Sequence, residues 1–173
     1  MDVGGEVCAL TATEEDPFIS ARRNEDGWLA GTAWLENYKG GVTVYNSQID
    51  EVFLFRASDR FVIDAYVTDD NSTLAAVTLG QENSVFVSNI VLYELDQEDP
   101  AADYDVTDGL VAAVGEQDGQ LVTVSDTCLT YASPAGEVRA TYSYAGSYPP
   151  ESDLHGDGFT ALLLSRNQSA GLG

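Results

Sequence analysis

The segment from Val85 to Leu95 constrains the fold most. Both of its alternation sets are apolar, Val85, Val87, Val91 and Tyr93 on one side and Phe86, Ile90 and Leu92 on the other. A strand of that kind needs cover on both faces. Upstream, Phe61, Ile63, Ala65 and Val67 alternate with Asp64 on the opposite face, the pattern of a half-buried strand. Between these two runs, Asp69, Asp70, Asn71 and Ser72 offer N-cap side chains ahead of Thr73–Leu79, and Gly80 stands where a helix would end. The spacing predicts one short helix near 71–79 between two strands.

The same period-two pattern recurs elsewhere. Trp28, Ala30, Thr32 and Trp34 form one face of a strand ending at Leu35, and the Gly40-Gly41 turn leads into Val42 and Val44, then Val52 and Leu54. Short strands follow at 110–114, 121–124 and 128–131. Val138, Ala140, Tyr142 and Tyr144 make a two-faced strand after the Ser133-Pro134-Ala135-Gly136 turn. The apolar run in 160–165 fits a strand or a short helix. These elements, roughly eight to ten strands and one helix, predict a mainly β fold of two packed antiparallel sheets, a sandwich or barrel. No internal repeat is visible. The expected organisation is an extended N-terminal arm over 1–25, a single β domain over 26–168 and a small-residue tail over 169–173.

Charge narrows the setting. Across 173 residues there are 29 acidic side chains against seven basic ones, of which Lys39 is the only lysine, for a formal charge of -22. Such an excess strains a compact state at ordinary ionic strength, but near 1 M salt the Debye length falls to about 3 Å and the repulsion is largely screened. The composition resembles that of proteins from extremely halophilic archaea and their viruses. No basic stripe is available to neutralise a nucleic-acid backbone, so only transient, non-specific passage of DNA along a repelling wall is expected. The N-terminus lacks a basic region followed by an apolar run, and no apolar run is long enough to span a bilayer, so neither a secretory signal nor a membrane partner is expected. Cys8 and Cys128 read as buried thiols rather than a pair.

Chemistry is sparse. The single histidine, His155, lies in a Gly/Asp-rich turn without a nucleophile motif. Asp103, Asp105 and Thr107 imitate the start of a calcium loop, yet Asp108 and Val114 occupy the positions that need glycine and a bidentate glutamate, so an acidic loop is expected. No catalytic, cofactor-binding or metal-binding residue is predicted, no cofactor is expected, and the chain reads as non-enzymatic.

The passage Asp59–Gly80, with Thr68-Asp69-Asp70-Asn71-Ser72-Thr73-Leu74-Ala75-Ala76-Val77 at its centre, resembles the strand-to-helix passage of major tail tube proteins of tailed viruses. Gly136–Tyr144 similarly resembles the last sheet strand of many tail proteins. The resemblance implies a helix beside two packed sheets, self-association into hexameric rings, stacked rings around a genome channel, and contacts with other virion proteins after assembly in the host cytoplasm. It gives the arm over 1–25 and the loop around Asn37–Gly41 the role of joining rings. A single jelly-roll capsid protein of an icosahedral halophilic virus fits the strand count too, without the helix. A carbohydrate-binding or adhesion domain is a further alternative, needing an aromatic platform from Trp28, Trp34, Tyr142 and Tyr144.

Overall fold

A computed structural model describes residues 18–34, 39–106, 109–143, 151–155 and 158–162. Among them are fourteen strands and no helix. The first sheet is β1 (Phe18–Arg23), β2 (Leu29–Ala33), β3 (Gly40–Tyr45) and β4 (Glu51–Ala57); the second is β5 (Phe61–Val67), β6 (Thr73–Glu82), β7 (Val85–Glu94) and β8 (Ala102–Val106). The third is β9 (Val111–Gln117), β10 (Gln120–Ser125), β11 (Cys128–Ala132) and β12 (Val138–Ser143), and β13 (Glu151–His155) pairs with β14 (Gly158–Leu162). Within each sheet, strands that follow one another in sequence pair antiparallel.

The expectation of a mainly β, antiparallel fold holds, but the expected pair of packed sheets is replaced by three four-stranded meanders set side by side. The first strands lie innermost. β5 rests against β1, β2 and β3 of one neighbour and against β9 of the other, while β9 also meets β6, β13 and β14. A two-sheet sandwich covers one face of each sheet, whereas here the middle sheet is covered on both. That is what the doubly apolar β7 required. Val62, Ala65, Val67, Leu74 and Ala76 pack toward Ala30, Val42 and Val44 of the first sheet. On the other face, Tyr66, Ala75, Val77, Ile90 and Leu92 pack toward Val111, Val114 and Leu121 of the third. The sheets begin at Phe18, Phe61 and Val111, a structural repeat that the sequence does not display.

The helix expected near 71–79 is instead β6, paired with β5 along one edge and β7 along the other. The side chains that offered to cap a helix close the β5–β6 turn. Asp70 Oδ1 accepts from Ser72 N at 3.0 Å, Ser72 Oγ at 2.7 Å and Thr68 Oγ1 at 2.7 Å, while Thr68 N donates to Thr73 O at 2.9 Å. Asn71 takes the left-handed φ of 61° that this turn demands. These hydrogen bonds hold Asp70 below the usual carboxylate range, the bond from Ser72 first among them.

Two further expectations change. β12, expected to bury one face, is an outer strand with Val138 and Tyr142 exposed. Phe18–Arg23, the end of the segment expected to be an arm, is the inner strand β1. The first seventeen residues of that arm, including Cys8, lie outside the described residues, as do Asn37, Tyr144 and the 169–173 tail; Cys128 is buried.

A candidate interaction face at one end of the sheets

The three inner strands run the same way, and a hydrogen-bonded junction ties them together. Arg22 of β1 donates from one guanidinium nitrogen to Asp64 Oδ2 of β5 at 2.6 Å and to the Val114 carbonyl of β9 at 2.5 Å. Val114 N donates to the same Asp64 oxygen at 3.0 Å. The guanidinium also lies 5.0 Å from the centre of the Tyr66 ring. Burial raises the Asp64 carboxyl above its ordinary pKa, and the Arg22 charge opposes that rise. With its Oδ2 committed to a cation and a backbone N–H, Asp64 is a structural tie between three sheets.

Beyond this junction, the turns that follow β1, β5 and β9 meet. Asn24 Nδ2 donates to Thr68 O at 3.1 Å and Asn71 Oδ1 at 2.7 Å, Glu25 N donates to Asp69 Oδ1 at 3.3 Å, and Asp69 N donates to Glu116 Oε2 at 2.6 Å. The Tyr66 hydroxyl donates to Asp69 Oδ1 at 2.8 Å. Burial, followed by the charges of Asp69, Asp70 and Glu25, raises Glu116 against the lowering effect of the Asp69 N–H. Exposed Glu25, Asp26, Asp50, Asp70, Asp96, Glu98, Asp99 and Asp118 occupy the turns of this end. It is the acidic end of the molecule.

The opposite end has other chemistry. Six of the nine exposed large apolar side chains among the described residues lie there: Ile19, Trp34, Phe61, Val85, Phe86 and Tyr142. Trp34 is 49% exposed although its Nε1 donates to Val62 O at 2.9 Å, and its ring meets Phe61 edge-on with centroids 5.2 Å apart. Lys39 Nζ sits 5.7 Å above the Phe61 ring. Asn83 and Ser84 both have positive φ, the two-residue hairpin geometry that carries Val85 (62% exposed) and Phe86 (57% exposed) out from the sheet. Beside this hairpin a groove of about 480 Å³ is lined by Glu82, Val85, Phe86, Val87, Asp105, Val106, Gly109 and Leu110. Arg60 donates to Glu82 Oε1 at 3.3 Å and lies 3.8 Å from Asp105 Oδ1, so charges of both signs border the apolar patch.

The residues considered for chemistry are dispersed. Asp103 and Asp105 lie in β8 rather than in a loop, where Asn89 Nδ2 donates to both, at 2.5 and 3.1 Å. Thr107 and Asp108 lie outside the described residues, and no cluster of His, Cys, Asp and Glu able to hold a metal ion occurs among the described ones. His155 ends β13. Of the suggested aromatic platform, Trp28 packs on the core between the first two sheets, Trp34 and Tyr142 are exposed on different sheets, and Tyr144 lies outside the described residues. Phe61, Val85 and Phe86 were read in the sequence only as strand residues. Their place at the ends of β5 and β7 was the available signal, since the last residues of a strand lie beyond its neighbours' cover.

No protein-family model matches the sequence, and no curated protein does. Solved structures do resemble it. A propeller, described as that of Dos1, superposes with a TM-score of 0.63 at 11% identity over 83% of this chain and 38% of that one. A Bacteroides caccae protein of unknown function superposes with a TM-score of 0.53 at 13% identity over 90% of this chain and 60% of that one. The present chain thus spans less than two thirds of either. The likeness concerns the fold: four-stranded meanders side by side, first strands innermost, are propeller blades. The three sheets are accordingly called blades 1 to 3 below.

Proposed function

We propose that this chain is a non-enzymatic structural subunit that docks other protein chains through the aromatic end of its blades and works in concentrated salt. One observation carries the reading: in a chain of charge -22, most of the exposed large apolar side chains among the described residues gather at one end, where Arg60 lies beside Glu82 and Asp105 and Lys39 lies over the Phe61 ring. Exposed apolar side chains rimmed by polar groups are characteristic of protein contacts. The acidic end suits the complementary task of keeping the subunit solvated where salt screens repulsion. A place in a virus particle is compatible with this role. The helix beside two packed sheets that the tail tube resemblance implied is not formed, since the passage that carried the resemblance is the β5–β6 hairpin.

A photo-crosslinking comparison tests the reading. With p-benzoylphenylalanine in place of Phe86, irradiation of cells expressing the full chain yields discrete protein adducts whose partners mass spectrometry identifies reproducibly. The same replacement at Asp99, on the acidic end, yields few. Equal adducts from both positions, or none from position 86, overturn the proposal.

A further inference from the structure

The partner can be specified further, on the assumption that the docking reading is right. We infer that the aromatic end receives the same end of a second copy, and that assembly stops at this pair. The argument is electrostatic. Two copies of so acidic a chain repel over most orientations, and the orientation that brings aromatic ends together holds the acidic ends farthest apart. The aromatic end is also complementary to itself. In a two-fold pair the apolar surface of Phe86, Trp34 and Phe61 in one copy meets the same kind of surface in the other, and the end that carries Lys39 and Arg60 is the one best able to lie beside another acidic chain. An open stack needs the opposite contact, aromatic end on acidic end. That would bury carboxylates such as Asp99 against Phe86 without cations to pair them. A pair joined this way turns its two acidic ends outward, and those ends repel the acidic end of a third copy.

Sedimentation of the purified full chain at about 3 M NaCl tests this, salt being needed to screen the remaining repulsion. The expected result is a monomer–dimer equilibrium with no larger species at rising concentration. Phe86→Ser, at an exposed hairpin tip, weakens dimerisation by about tenfold, as expected for losing most of one phenylalanine's burial. Lys39→Glu weakens it independently, so a folding defect in one variant leaves the other decisive. Polymers that lengthen with concentration overturn the closed pair. A monomer at all concentrations, or a dimer indifferent to both substitutions, overturns the choice of a second copy. In either case crosslinking from position 86 separates the two claims: adducts to another protein leave the docking role standing, and their absence removes it as well.

Discussion

The two ends of the blades are built from the same kind of element, short turns between antiparallel strands, and they differ in almost every other respect. At the acidic end the turns follow the inner strands and are tied to one another across blades, Asn24 to Thr68 and Asp69 to Glu116. Their backbone is held by side chains from the neighbouring blade, Asn24 of a turn and Glu116 near the end of β9, and exposed carboxylates occupy the rest. At the other end the β6–β7 turn is a tight hairpin that needs no help from a neighbour, and its apolar residues protrude. The contrast teaches that in a very acidic protein the exposed apolar surface is the informative one. Carboxylates are the default covering of such a chain, and an aromatic cluster is the departure.

The comparison depends on the blades sharing one axis, so the largest expected effect comes from the junction that aligns them. Asp64→Ala leaves the part-buried Arg22 guanidinium without its carboxylate and Val114 N–H without an acceptor. Losing one partner of such a pair costs on the order of 3–5 kcal/mol. Urea unfolding at high salt should register that loss. An Asp64→Ala protein as stable as the parent would mean that the blades are aligned by apolar packing alone. Next in size is Trp34→Ser at the aromatic end, where docking is expected to weaken by roughly tenfold. Stability falls by only about 1 kcal/mol, the worth of the bond to Val62 O. If stability collapses instead, Trp34 belongs to the fold and the contrast between the ends is less sharp than drawn.

Much of the fold was legible in particular residues. The doubly apolar run at 85–95 required a covered strand; β7 is covered over 88–92 between blades 1 and 3, whereas Val85 and Phe86, expected to be covered as well, stand exposed at its start. Asp64, set opposite an apolar face, marked β5 correctly, yet its partner Arg22 could not be found by spacing because the two lie 42 residues apart and meet only when blades stack. The helix expectation failed at Asp69–Ser72 for a definite reason. Residues that cap helices also close hairpins, since both tasks consist of satisfying exposed backbone N–H groups with a short side chain. The apolar Thr73–Leu79 run then fits either structure, and only pairing on both edges chooses β6. The repeat stayed hidden because each blade fills its core differently: Val42 and Val44 in one, Leu74, Ile90 and Leu92 in the next. The aromatic end was unreadable as a site because its members come from separate strands and hairpins.

Two smaller perturbations probe the acidic end itself. Asp70→Ala removes the acceptor for Ser72 and Thr68 in the β5–β6 turn, at an expected cost of about 1 kcal/mol, similar to losing a cap. Because its folded pKa is lowered, Asp70 stabilises the protein above the usual carboxylate range and loses that contribution as pH falls through the lowered value. The variant should therefore differ most from the parent at neutral pH and converge with it in strong acid.

Glu116→Gln should act in the opposite direction. The Glu116 pKa is raised in the fold, so protonation favours folding: its contribution is full below the unfolded carboxylate pKa and lost as pH rises through the folded one. A neutral glutamine, which can still accept from Asp69 N, is spared that loss. A gain below about 1 kcal/mol is expected at neutral pH, vanishing in acid. Salt separates its causes. The part due to Asp69, Asp70 and Glu25 is screened at about 3 M NaCl, whereas the part due to burial persists. A gain that disappears entirely in high salt would make the acidic end a purely repulsive surface held together by screening; a gain that survives identifies Glu116 as part of the packing between blades 2 and 3.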